Sequence, residues 1–101
     1  MDSNSASTNV YQIEPLKGPE HYPVWKIQMM DVLMDQGLWE YANGDKLKPA
    51  DTHADYPDWI KKDRSALSSI RLRVAGHNLV YVAGITESKP AWDALKNVFE
   101  P

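Results

Sequence analysis

The chain has no cysteine, so disulfides, thiolate metal sites and a sulfur nucleophile are excluded, and any site chemistry falls mainly to histidines and carboxylates. The three histidines, His21, His53 and His77, stand too far apart to form a local metal motif. The one suggestive cluster is Asp51-Thr52-His53-Ala54-Asp55, with potential ligands at alternate positions. Hard cations need more oxygens on a loop of defined turn geometry, and zinc needs four well-placed groups. That spacing therefore favours a solvated loop. No G-x-S-x-G, phosphate-cradling glycine loop or H-E-x-x-H is present, and the five glycines each stand singly at turns or helix ends. Neither a catalytic, a cofactor-binding nor a metal site is expected, and the chain reads as non-enzymatic.

The elements that would position any site are helical. Met1–Asn9 is small and polar, and reads as a disordered tail ahead of a single domain over residues 10–101. Val10–Leu16 alternates apolar and polar and is cut by Pro15, as an extended arm lying on the helices would be. A first helix is predicted over Tyr22–Gln36, with Pro23 in its first turn and Gly37 as its stop. Trp25, Met29, Val32 and Leu33 share one face of it. Ile27, Met30 and Met34 form a second apolar stripe, leaving Gln28, Asp31 and Asp35 as the polar strip. A helix so widely apolar is either central or has two partners.

Leu38–Tyr41 reads as a short turn and Lys46–Tyr56 as a polar loop. A second helix is predicted from Pro57 or Asp58 to Ala75, with Trp59, Ile60, Ala66, Leu67, Ile70 and Val74 on one face. Asp63 falls in the middle of that apolar face. A general base with a raised pKa is one reading of it; a structural tie to an indole N–H, a helix terminus or Arg71 or Arg73 is the favoured one. Lys61, Lys62, Arg64, Arg71 and Arg73 give the helix a basic flank that reads as solvated and salt-bridging, since the aromatic residues fall on the apolar side. Leu79–Ala83 is a short apolar run read as helical from its neighbours. A last helix, capped by Thr86 or Ser88, lines up Ala91, Trp92, Leu95, Val98 and Phe99.

Composition sets the limits. A chain of 101 residues holds one small domain, here all-α with about four to five helices. The net charge of −3 argues against nucleic acid as a direct partner, and no apolar run is long enough to span a bilayer. The amino terminus is no signal peptide, and the absence of cysteine fits a cytoplasmic location.

One ordered series stands out: Leu16-x-Gly18, Tyr22-x-x-Trp25-x-x-x-Met29-x-x-x-Leu33, Gly37-Leu38-Trp39, Trp59-x-x-x-Asp63-x-x-Ala66-x-x-x-Ile70, and Thr86-x-x-x-x-Ala91-Trp92-x-x-Leu95-x-x-x-Phe99. It resembles the N-terminal part of the Gag polyprotein of copia-type LTR retrotransposons. The resemblance implies a helical, capsid N-terminal-domain-like fold whose copies assemble, truncated here at its C-terminal end. It implies that Trp25, Trp59 and Trp92 anchor the core, one per main helix, that Trp39 closes the turn beside Leu38, and that Asp63 is a structural tie. In this reading Ile27, Met30 and Met34 meet either further Gag segments or a second subunit, so self-association is the expected partnership.

Overall fold

Proline at the start and glycine at the end delimit the first helix, α1 (Tyr22–Asp35), in a computed structural model that describes residues 12–100. Pro23 occupies the first turn, where its missing N–H costs nothing. At the other end Gly37 takes φ 74°, Gly37 N–H donates to Met34 O (3.0 Å) and Leu38 N–H to Leu33 O (2.8 Å), which is the Schellman pairing. The expected disordered tail, residues 1–9, lies outside the described residues.

Three further α-helices follow: α2 (Trp39–Asn43), α3 (Tyr56–Arg71) and α4 (Ser88–Phe99), with a 3₁₀ helix at Gly76–Tyr81 between the last two. The described residues contain no β-strand, only an isolated parallel bridge between Leu16 and Val74. The fold is all-α. Leu38–Tyr41, read from sequence as a short turn, instead leads into the short helix Trp39–Asn43, which ends where Gly44 adopts φ 89°. Helix α4 packs against both α2 and α3, and α1 closes on α2 and α3.

The core is apolar and aromatic. Trp25, Met29, Leu33, Ala66, Ile70 and Leu95 are fully enclosed, with Leu38, Trp59, Trp92 and Phe99 nearly so. Trp39 is only half-buried but meets Trp92 edge-on, ring centroids 5.1 Å apart, while Trp25 stacks on Trp92 at 5.8 Å. Burying each such side chain is worth about 1.5–3 kcal/mol, which a domain this small needs.

Two local expectations are corrected, the end of α3 and the cap of α4. The helix predicted to run to Ala75 stops at Arg71. The Arg73 carbonyl, which a continuing helix would bond internally, instead accepts from Leu16 N–H (2.9 Å) and the Trp25 indole (2.7 Å), while Ala75 N–H donates to Leu16 O (3.0 Å). Tertiary donors from the arm out-compete the helix. The apolar run after it is 3₁₀ helix and turn, and its carbonyls at Val82, Ala83 and Ile85 face the Arg71 guanidinium. Last, neither Thr86 nor Ser88 caps α4: its N-cap is Glu87, whose side chain makes no capping bond, and Ser88 is its first residue.

Candidate protein interface

Asp63 projects from α3 onto the open end of α4. Both of its carboxylate oxygens accept from Ser88 N–H at 3.3 Å, and Oδ1 also accepts from the Ser88 hydroxyl at 2.5 Å. The bond that Glu87 fails to supply from within α4 comes from a neighbouring helix, and a negative charge at a helix N-terminus is favoured by the helix dipole. Asp63 is 2% exposed. Burial pushes its pKa up, the Ser88 bonds pull against that, and Glu87 and Lys48 contribute smaller opposing effects. Of the partners weighed from sequence, the geometry has the helix terminus. Arg71 is turned to the 82–85 carbonyls, and Arg73 reaches Ser69.

The loop cluster is solvent-facing. Asp51, His53 and Asp55 are all exposed, and His53 Nδ1 accepts from the Asp55 backbone N–H at 3.0 Å. Among the described residues no three histidines or carboxylates converge as a metal site would require. Among the buried polar groups that escaped the sequence reading are Ser69, whose hydroxyl donates to Gln36 Oε1 (2.8 Å), Asn78 and the Tyr22 hydroxyl. Asn78 donates to Leu16 O (3.0 Å) and Lys17 O (3.1 Å), tying the arm to the 3₁₀ helix. The Tyr22 hydroxyl is buried without a hydrogen-bond partner among the described residues, and burial, aided by Glu100, pushes its pKa up to about 12. The Asn78 pairing joins segments some sixty positions apart, so no local pattern signals it.

Exposed apolar groups lie on several elements, Leu47, Leu79, Val80, Tyr81 and Val98 among them, and two surfaces combine such groups with a charge pattern. On α1 the stripe named from sequence divides: Ile27 is 63% exposed and Met34 51%, but Met30 is half-buried against the core. Val24, 55% exposed, lies one turn before Ile27 and extends the apolar face. These are large aliphatic groups on a helix whose opposite face is already occupied by the core.

The second surface is the outer side of α3. Lys62 pairs with Asp58 (3.3 Å), but neither Lys61 nor Arg64 has a carboxylate partner among the described residues. Beside them Ser65, Ser68 and Leu72 are exposed. A shallow groove of about 560 Å³ runs along this side between Tyr56, Pro57, Ile60, Lys61 and Arg64. Charge and apolar surface without a partner, on a fold lacking any convergent chemical site among the described residues, make an arrangement suited to contact.

The described residues form an all-helical domain with Trp25, Trp59 and Trp92 in its core. The chain belongs to the gag-polypeptide family of LTR copia-type elements, whose profile matches residues 29–101. It is also 26% identical, over 89 residues, to the retrovirus-related Pol polyprotein from transposon TNT 1-94 of Nicotiana tabacum. That match takes in 88% of this chain but only 7% of the tobacco protein, so the chain spans a small part of its relative's length. No solved structure matches it. No described helix is long and apolar enough to cross a membrane.

Proposed function

We propose that this domain is a non-catalytic structural unit that contributes protein–protein contacts to the assembly of a capsid or virus-like particle in the cytoplasm, with copies of itself as the first partner. The observation that carries the reading is the exposed aliphatic stripe Val24, Ile27 and Met34 on α1, in a chain of the copia-type gag family. Water-exposed aliphatic groups on one helix face have a hydrophobic incentive to be covered, about 25 cal/mol per Å² of apolar area. Neither a membrane nor direct nucleic-acid contact is part of this reading, consistent with the net charge of −3.

Sedimentation velocity over a wide range of protein concentration tests it. Reversible association is expected in the parent chain. Ile27→Asp and Met34→Asp should reduce it while the helical circular dichroism is unchanged, because both side chains are mainly in water. A chain that stays monomeric throughout refutes self-association and leaves the stripe to a heterologous protein.

A further inference from the structure

We infer that the α1 stripe of one copy docks on the outer face of α3 of the next, so that the self-contact is head-to-tail and not a symmetric pairing of like faces. This rests on the self-association reading above and adds the identity of the opposing surface. The argument is charge complementarity. Glu20, Val24, Ile27, Asp31 and Met34 follow one another at three- or four-residue steps, and all are exposed. Neither Glu20 nor Asp31 has a salt-bridge partner among the described residues. Asp31 is thus an unpaired acid flanked by Ile27 and Met34, about 6 Å and 5 Å away along the helix axis.

The α3 face is its counterpart in sign. Arg64 and Lys61 are cations without a carboxylate partner, flanked by half-buried Ile60 on one side and by Leu72, 78% exposed, on the other. The only acids on α3 are Asp58, paired to Lys62, and Asp63, which is buried. An acid between apolar groups thus meets a cation between apolar groups.

A symmetric α1–α1 contact would instead bring unpaired acids together, and a symmetric α3–α3 contact would gather unpaired cations; like-charge juxtaposition of that kind is costly. Both faces are exposed on the same molecule, so each copy offers one of each. A contact between different faces does not close on itself after two subunits; it builds rings or open arrays. A phosphate-binding role for Arg64 and Lys61 is the rival. Trp59 points inward with its indole donating to Lys46 O (2.9 Å), and Tyr56, the aromatic residue that lines the groove beside Lys61 and Arg64, already has Lys48 Nζ over its ring; the net charge of −3 weighs further against a polyanion. One helix face on another is a small contact, below the roughly 1,200 Å² of stable complexes, so association needs concentrated protein.

The test is sedimentation velocity on Ile27→Asp, Arg64→Glu and their equimolar mixture, with circular dichroism confirming the fold. Ile27→Asp spoils the α1 face and leaves α3 intact; Arg64→Glu does the reverse. Each alone should associate at least tenfold more weakly than the parent, and the mixture should recover the contact but stop at a one-to-one heterodimer. Arg64→Glu associating like the parent overturns the assignment, as does a mixture that recovers nothing. So does association of the parent that disappears on ribonuclease treatment, which would make α3 a phosphate-binding face. If the parent itself never associates, the self-association reading fails, an outcome distinct from a misplaced interface.

Discussion

At the scale of single residues, the bond between Asp63 and Ser88 is the point where sequence and structure inform each other best. Asp63→Ala leaves the buried Ser88 N–H and hydroxyl without an acceptor, and should cost about 1–3 kcal/mol in urea unfolding. Ser88→Ala leaves the carboxylate with the backbone N–H alone and should cost a similar amount. The pH dependence has a definite sign. The Asp63 pKa is raised by burial, so the folded state binds this proton more tightly than the unfolded chain. Above the folded pKa the ionised group carries a penalty; as pH falls through that value toward the unfolded one, the penalty is relieved. The parent should therefore gain stability relative to Asp63→Asn as pH falls through the raised folded pKa toward the ordinary carboxylate value, where other carboxylates cancel in the difference. A flat difference in melting temperature would place the Asp63 pKa at its ordinary value.

At the scale of elements, the helices with a clean wheel pattern were readable because their cores are local in sequence. Trp25, Met29 and Leu33 recur at helical spacing and are all buried, and Pro23 and Gly37 announced the limits of α1 to within a residue or two. What was hidden depends on distant partners. The sequence from Leu72 to Ala75 carries no breaker, yet α3 ends before it because the arm claims the Arg73 carbonyl and pairs Leu16 with Val74. Ser88 looked like a cap and is instead capped. Of the interface stripe, periodicity could show that Ile27, Met30 and Met34 share a side, but not that Met30 tilts into the core while Val24 stays out. Leu16, fully enclosed and holding the arm to Val74, should be the costliest small truncation outside the helices: Leu16→Ala is expected to lose about 2–5 kcal/mol in chemical denaturation.

At the scale of the whole molecule, the domain spends its polar groups on holding elements together. Lys26 bridges α1 to Glu100 just past α4 (3.2 Å), and Lys48 ties the loop before α3 to Glu87 at the start of α4 (2.8 Å). Such half-exposed pairs add little individually, about 0–1 kcal/mol each. With Asp51, His53 and Asp55 on an exposed loop and no converging set among the described residues, zinc, magnesium or manganese should leave the melting temperature unchanged. A rise that grows with metal concentration would reopen that loop as a site. The acidic-aliphatic face of α1 and the basic face of α3 are the two surfaces on which the proposed self-contact rests.

The stacked indoles carry an optical consequence. Trp25, Trp39 and Trp92 come from α1, α2 and α4, and their rings meet within 5.8 Å between centroids, whereas Trp59 pairs with Tyr41 in a separate aromatic contact. The chain thus contains two native chromophores for two different events. Near-ultraviolet circular dichroism from the coupled trio reports whether α4 is docked on the first two helices. Emission from Trp59, isolated by replacing the other three tryptophans with phenylalanine where the fold tolerates it, reports the loop that holds its indole N–H. In that variant, coincident unfolding curves from Trp59 emission and far-ultraviolet circular dichroism would mark a single cooperative unit. Separated curves would show the loop around Lys46 releasing before the helices part.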